Sequence, residues 1–225
     1  MFCCRQDDKN EKIYRYCFSF ALLISMTIPA YGITNTKAMQ QSINTISILD
    51  LGGMNVTELN EFIHEVASQS STSSTSTYGV SSSLLSKAWY AAGRIAYLKG
   101  YTCAGTLVMY SAQGKNYTET NGLFANKIAK TSKYKTWKSN YSSSSPTSLS
   151  FESSDNADLY YSLHAVNIGM SGNSQGGTIV ISDTFDFDAE DQFSSPFVKF
   201  VNDFAWLSQR TGALTVISVR ISITA

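Results

Sequence analysis

Charge is scarce in this chain, and neither sign is in excess. Only 15% of the 225 residues are charged, and 17 Lys and Arg balance 17 Asp and Glu. Proteins that hold nucleic acid or an anionic membrane through a basic surface carry a net positive field. We therefore expect no nucleic-acid partner.

Motifs that would identify a particular chemistry are absent as well. The chain has no phosphate-binding Walker loop, no dinucleotide fingerprint, no zinc-ligand spacing and no nucleophile elbow. No segment of roughly 20 to 50 residues repeats, which excludes solenoids and propellers. Without such motifs, the sequence identifies neither a cofactor nor a metal, and it leaves open whether the protein is an enzyme.

The N-terminal 32 residues have the features of a secretion signal. Basic residues precede an apolar run from Cys17 to Ala30, and Ala30 and Gly32 supply small residues at the positions that a signal peptidase reads. Because this run is too short to span a bilayer comfortably, we expect no transmembrane span in the mature protein. Residues 1–32 are predicted to be the signal peptide of a secreted protein, with an uncleaved N-terminal anchor as the alternative.

Cysteine becomes scarce once that segment is removed. Three of the four cysteines precede residue 32, so cleavage leaves Cys103 alone. A single thiol cannot form an internal disulfide, and the mature domain must be held together by its core. Cys103 lies among small and apolar residues without an adjacent base, which favours a buried helical cysteine over a nucleophile.

Two serine-rich stretches, Ser68 to Thr77 and Ser139 to Ser148, divide the mature chain. Such runs bury too little apolar area to order themselves and are predicted to be linkers or surface loops. We accordingly expect residues 33–78 to contain an N-terminal helix and a Ser/Thr-rich linker, and residues 79–225 to form one globular domain.

Helical spacing of apolar residues dominates up to residue 137. Asn55 or Thr57 is a suitable cap for an amphipathic helix that extends past Val66 and carries His64 on its surface. Three further helices are predicted over Leu84 to Leu98, ended by Gly100, over Thr102 to Ala112, ended before Gly114, and over Leu123 to Trp137.

After Pro146 the period of the apolar pattern changes to two, which predicts strands. Residues 158–170 and 178–183 are expected to form a β-hairpin. A helix is then predicted from Ser195 to Gly212, and a final strand follows and pairs with the hairpin. The predicted fold class is α+β, with an N-terminal helical layer packed on a C-terminal antiparallel β-sheet with one intervening helix.

A lysine-rich helix face is the first candidate site. Residues 115–138 contain six lysines and a single acid. Ammonium groups with interleaved aromatic rings can grip phosphates or an acidic surface, which makes Lys127, Lys130, Tyr134 and Trp137 a candidate binding set. The alternative is a solvated helix face that balances the acidic half of the chain.

An acidic stretch, residues 183–193, is the second candidate site, with five carboxylates in eleven residues. Because side chains alternate along a strand, Asp183 is predicted to lie on the same face as the isoleucines of that strand. Pairing of the two hairpin strands would bring His164 near it. Asp183, Asp186 and His164 are therefore candidate catalytic residues for acid/base chemistry, the alternative for His164 being a core histidine. A calcium loop is disfavoured because no glycine follows for its sharp turn.

The sequence "DTFDF" at residues 183–187 resembles the Asp-x-Tyr-Asp-Phe motif of colicin M-type bacteriocins, whose C-terminal domain hydrolyses the lipid-linked peptidoglycan precursor. The helix and final strand that follow are in a similar order, and the resemblance covers roughly the last 70 residues. It implies that Asp183 and Asp186 are the catalytic carboxylates. Phe185 replaces the family's tyrosine, and Gln192 and Phe193 stand where the family has an adjacent His-Arg pair.

Two functions remain as hypotheses. The chain also has a looser likeness to toxin-type C-terminal domains of bacterial secreted systems. The first hypothesis is therefore a secreted toxin or effector, a hydrolase acting at the bacterial envelope, with a cell-envelope precursor or another target-cell component as its partner. The second is a non-catalytic secreted binding or interaction domain, in which the acidic stretch and the lysine helix are complementary surfaces.

Overall fold

A computed structural model describes residues 45–72, 81–142, 147–163, 165–171, 177–186, 208, 210 and 212–224. Its helices are α1 (Ile48–Gly53), α2 (Val56–Thr72), α3 (Ser82–Leu98), α4 (Thr102–Ala112), α5 (Leu123–Ile128), α6 (Ser132–Ser139) and α7 (Ser153–Ser162). Its strands are β1 (Tyr117–Thr120), β2 (Ser148–Ser150), β3 (Ala165–Ser171), β4 (Thr178–Phe185) and β5 (Ile217–Thr224). The predicted signal peptide and most of the helix predicted after Ser195 lie outside the described residues.

The five described strands form one mixed sheet in the order β1-β5-β4-β3-β2. Strands β2 to β5 pair antiparallel, which confirms the predicted hairpin and its pairing with the final strand. Strand β1 is parallel to β5, with Tyr117 opposite Val219. The α+β class is therefore confirmed, and the sheet is mostly rather than wholly antiparallel.

The alternation of side chains along β4 and β5 builds the core. Ile179, Ile181 and Phe185 on β4 are buried, and so are the odd-numbered residues of β5, while Arg220 on the opposite face is exposed. This face of the sheet shares one hydrophobic cluster with Leu107 of α4 and with residues of α5 to α7. Helices therefore cover one face of the sheet.

The first helices pack on α3 through a second apolar cluster. The predicted cap of α2 is confirmed, because the Asn55 side chain accepts hydrogen bonds from the backbone N–H groups of Thr57 and Glu58. His64 is exposed, also as predicted. The helix continues to Thr72, so the first five residues of the expected linker are helical.

Helices α3 and α4 cross at two glycines. A Cβ atom added to Gly93 would lie 2.8 Å from the carbonyl oxygen of Gly105 on the facing helix. Only the absence of both Cβ atoms allows the two backbones to approach this closely. Each helix ends as predicted, at Gly100 (φ 97°) and Gly114 (φ 66°), in the left-handed conformation that suits glycine.

The single helix predicted over residues 123–137 is wrong, because the structure has two helices there. Helix α5 ends at Ile128, and Thr131 begins α6 by accepting a hydrogen bond from Tyr134 N at 3.3 Å. The Thr131 hydroxyl also donates to the carbonyl of Ile128 at 2.8 Å. A threonine that bonds to nearby backbone in this way favours a new helix start over a helix interior.

The strand predicted from residue 158 is also wrong at its beginning. Residues up to Ser162 belong to α7, and β3 begins at Ala165. Asn156 has non-helical backbone angles and its side chain caps the following turn by accepting a hydrogen bond from Leu159 N at 3.0 Å. Strands β1 and β2 were not predicted, since each is short and has few apolar residues.

Candidate binding groove

A groove with a volume of about 500 Å³ lies between helix α6 and strand β2. Ligand pockets typically measure roughly 300 to 1,000 Å³, so the groove is large enough for a ligand. One of its walls is helix α6, and the other is β2, which lies at the edge of the sheet formed by the described strands. The residues that line it are Ser132, Lys133, Thr136, Trp137, Asn140, Ser148, Leu149 and Ser150.

The start of α6 at Thr131 determines which of its residues face the groove. Lining residues on the helix recur at a spacing of three or four, so they form one stripe. Tyr134 is placed away from that stripe and is buried in the core. The helix thus separates a polar groove face from an apolar core face, and Trp137 belongs to both.

Two largely buried apolar side chains underlie the groove. Trp137 is 7% exposed and Leu149 is 8% exposed. The ring of Trp137 lies 5.1 Å from that of Tyr141, centroid to centroid, which holds the indole in place. Hydroxyl and amide groups surround this apolar base, an arrangement in which burial supplies affinity and polar groups supply orientation.

Strand β2 presents backbone groups as well as side chains to the groove. The N–H of Ile168 donates to the carbonyl of Thr147 at 2.8 Å, so these two residues form a hydrogen-bonded pair. Such pairs alternate with non-bonded pairs along an antiparallel ladder, and Ser148 faces Asn167 in the next, non-bonded pair. The N–H and C=O groups of Ser148, and of Ser150 by the same alternation, therefore point away from β3.

Lys133 is the only ionisable side chain among the groove-lining residues that the structure describes. Its ammonium lies 2.5 Å from a carboxylate oxygen of Glu152, and the two side chains are 35% and 63% exposed. Exposed ion pairs contribute only about 0 to 1 kcal/mol, so this one can be exchanged for another carboxylate at little cost. The pair marks a position beside the groove where a carboxylate is accommodated.

Lys127, from the predicted binding set, lies elsewhere and is engaged with the fold. Its ammonium lies 2.5 Å from Asp158, whose carboxylate also accepts the N–H groups of Cys103 at 2.9 Å and Ala104 at 3.0 Å. The hydroxyl of Thr102 donates to the same carboxylate at 3.2 Å. Asp158, which belongs to α7, thus accepts hydrogen bonds from the N–H groups in the first turn of α4. Its negative charge also interacts favourably with the dipole of that helix.

The rest of that set is divided between the surface and the core. Lys130 is exposed, Tyr134 is 3% exposed and Trp137 lines the groove. The Tyr134 hydroxyl has no hydrogen-bond partner among the described residues, and burial raises its pKa. The structure does not bring these residues together as an exposed face of lysines and aromatic rings.

The predicted catalytic carboxylates lie at the end of β4. Asp183 faces Val219 of β5 in the ladder and lies on the buried face with Ile181 and Phe185, as strand parity predicts. Asp183 and Asp186 are both half-buried. His164 and the acidic residues after 186 lie outside the described part of the chain, so the proposed pairing with His164 stays a prediction.

Cys103 is fully buried, as predicted, and burial followed by the nearby Asp158 carboxylate raises the pKa of its thiol. The described residues contain no cluster of three or more His, Cys, Asp or Glu side chains that could hold a metal ion. Within the same ranges, each helix is too short or too polar to cross a membrane.

Most groove residues were missed in the sequence. A signal for the helix wall was present, because Thr131 is a typical N-cap and Lys133, Thr136 and Asn140 then follow at helical spacing. The strand wall had no such signal, since Ser148 to Ser150 end a serine-rich stretch.

Comparison with known proteins finds no matching family model, no matching curated protein and no matching solved structure.

Proposed function

We propose that this chain is a secreted, non-catalytic binding domain whose ligand site is the groove between α6 and β2. The observation that carries the proposal is the combination, in one groove of about 500 Å³, of an apolar base, polar walls and an edge strand. Specific ligand sites typically combine apolar burial with a few oriented polar groups.

The chemistry of the groove favours binding over catalysis. General acid/base catalysis needs ionisable groups within reach of the reacting atoms. Among the described residues that line the groove, only Lys133 is ionisable, and it faces Glu152. The remaining polar groups are hydroxyls, an amide and backbone groups, which donate and accept hydrogen bonds without changing charge. Secretion is supported by the signal-like pattern of residues 1–32.

Mapping of ligand contacts by NMR tests this proposal. A library of small polar and apolar compounds is added to the isotopically labelled full chain, and the amide shifts are recorded. We expect the strongest shifts at residues 132–140 and 148–150. Shifts that cluster elsewhere, or no binding at all, would contradict the proposed site.

A matched pair of variants sharpens the result. Thr136→Trp fills the groove from its helix wall, and because Thr and Trp have similar helix propensities the fold should survive. Lys135→Trp places the same ring at an exposed position that does not line the groove. Binding should disappear in the first variant and persist in the second.

A second candidate function is a hydrolase of toxin type acting at the bacterial envelope. It is supported by the position of Asp183, a half-buried carboxylate between Ile181 and Phe185 on the apolar face of the sheet. A carboxylate at this place, where the strand leaves the sheet, can serve the acid/base chemistry that hydrolysis requires.

Release of the labelled headgroup from the lipid-linked cell-wall precursor tests the hydrolase. We expect Asp183→Asn to abolish release and Asp155→Asn, a change at an exposed carboxylate of α7, to leave it unchanged. Absence of any release by the wild-type chain would remove this candidate and leave the binding domain unaffected.

A further inference from the structure

We infer that the occupant of the groove is an extended, acidic polypeptide segment that adds to β2 as a further strand of the sheet. The inference rests on the proposed function, because it takes the groove between α6 and β2 as the ligand site. It specifies the class of partner and the way in which the partner is held.

Strand addition follows from the direction of the β2 backbone. Among the described strands, β2 is at the edge of the sheet, and the N–H and C=O groups of Ser148 and Ser150 point to the groove side. Both residues are exposed. An unpaired edge is a template for another strand, and main-chain hydrogen bonds then supply much of the affinity. Three residues of β2 span roughly 10 Å, enough for a segment of three or four ligand residues.

Helix α6 limits what can lie beside that edge. An added strand has side chains that alternate between the two faces of the sheet. Those on the core side meet Trp137 and Leu149, so an apolar side chain fits there. Those on the other side extend beyond Ser148 and Ser150 toward solvent, where polar side chains are favoured. The preferred ligand therefore alternates apolar and polar residues.

The acidic character follows from charge complementarity. Between residues 120 and 151 the chain has five lysines and no Asp or Glu, and three of these lysines lie on α6. Lys133 lines the groove, and Glu152 shows that a carboxylate fits against its ammonium. A ligand carboxylate can take the place of Glu152, because an exposed pair of this kind is weakly held. The carboxylates at the helix wall are already bonded, Glu152 to Lys133 and Asp155 to the Ser132 hydroxyl, so a basic ligand would meet mainly the like charge of the α6 lysines.

Fluorescence anisotropy with synthetic peptides tests the inference on the full chain. The probe is fluorescein-labelled (Glu-Val)3, and (Lys-Val)3 is its charge-reversed control. We expect the acidic peptide to bind and the basic peptide not to bind. In the bound state, hydrogen exchange of the Ser148 and Ser150 amides should slow, because both N–H groups become paired.

Three variants separate the two parts of the interaction. Ser148→Pro removes one outward N–H at the first residue of an edge strand, where proline is tolerated, and should weaken binding about tenfold. Lys133→Ala should weaken it up to about fivefold, the value of one exposed ion pair. Lys135→Ala, an exposed lysine on the same helix that does not line the groove, should have no effect.

The amide-exchange measurement uses the wild-type chain, so the inference is tested even if Ser148→Pro does not fold. Acidic peptide binding without slower exchange at Ser148 and Ser150 overturns strand addition. Equal binding of (Lys-Val)3 overturns the acidic preference. Failure of both peptides, with small compounds still binding in the groove, overturns this inference and leaves the proposed function standing. Absence of every ligand from the groove overturns both. Binding of an oligosaccharide such as chitotriose in place of either peptide also overturns the polypeptide partner.

Discussion

Replacement of Gly105 by alanine should lower the stability of the protein, although alanine is the better helix former. A Cβ atom at this position would lie 2.6 Å from the backbone nitrogen of Tyr97 and even closer to the carbonyl oxygen of Gly93. Both atoms belong to the backbone of α3 and cannot rotate away. The added methyl group can be accommodated only if α3 and α4 move apart, which loosens the packing on both sides of the crossing.

The size of the effect follows from two opposing contributions. Overpacking in a core costs typically about 1 to 3 kcal/mol, and contact with rigid backbone places this case at the upper end. The gain in helix propensity from Gly to Ala is about 1 kcal/mol. The free energy of unfolding should therefore fall by about 2 kcal/mol, which lowers the midpoint of thermal unfolding by roughly 4 to 8 °C in a domain of this size.

Urea unfolding followed by circular dichroism measures this change, and an unchanged denaturant dependence would show that the unfolded state is unaffected. Gly53→Ala is the matched control, because a Cβ atom at Gly53 meets nothing within 4 Å. The control should be neutral or slightly stabilising. A Gly105→Ala protein as stable as the wild type would refute the close crossing of α3 and α4.

Three further changes test the polar groups of the fold. Asp158→Ala should lower the free energy of unfolding by about 3 to 5 kcal/mol, because it leaves the Lys127 ammonium and two N–H groups of α4 without their carboxylate. A loss below about 1 kcal/mol in urea unfolding would contradict this. Burial raises the pKa of the Cys103 thiol, so above the ordinary value of about 8.5 only the unfolded chain releases this proton, and stability should fall by up to about 1.4 kcal/mol per pH unit. Urea unfolding at pH 8.5 to 9.5 measures that slope, which Cys103→Ser should remove. Glu119→Ala should cost about 1 to 2 kcal/mol in the same assay, because Glu119 accepts the N–H of Ala125 in the first turn of α5 at 2.7 Å; full stability in this variant would show that water replaces the acceptor.

Local signals predicted the elements that are long and strongly patterned. Helix α3 has regular apolar spacing, and α3 and α4 both end at glycines with positive φ, so the helices and their ends could be predicted. Strand β5 alternates apolar and polar residues over its whole length, and a final strand is predicted there. In these segments propensity, pattern and termination agree, which is the condition under which sequence reasoning succeeds.

Other elements depend on contacts that sequence reasoning cannot see. Strand β1 reads "YTET" and is held by parallel pairing with β5. Four of the six residues 158–163 are apolar or aromatic, a composition that suits either a helix or a strand. The Asn156 cap and the packing of α7 on α4 decide for the helix. The groove also depends on tertiary contacts, because its two walls come together only when α6 and β2 pack. Trp137 is a predicted binding residue, and it lines the groove from a largely buried position.

The position of β5 between β1 and β4 constrains the time course of folding. Strand β1 has no strand partner among the described residues until β5, about a hundred residues later, has been synthesised. Non-local pairings of this kind form late, because a long loop must close before any contact stabilises it. Until then, the helices made first keep uncovered the apolar surface that they bury against the sheet. Closure of the sheet, and of the apolar core that it shares with the helices, is therefore the last step in completing the described fold.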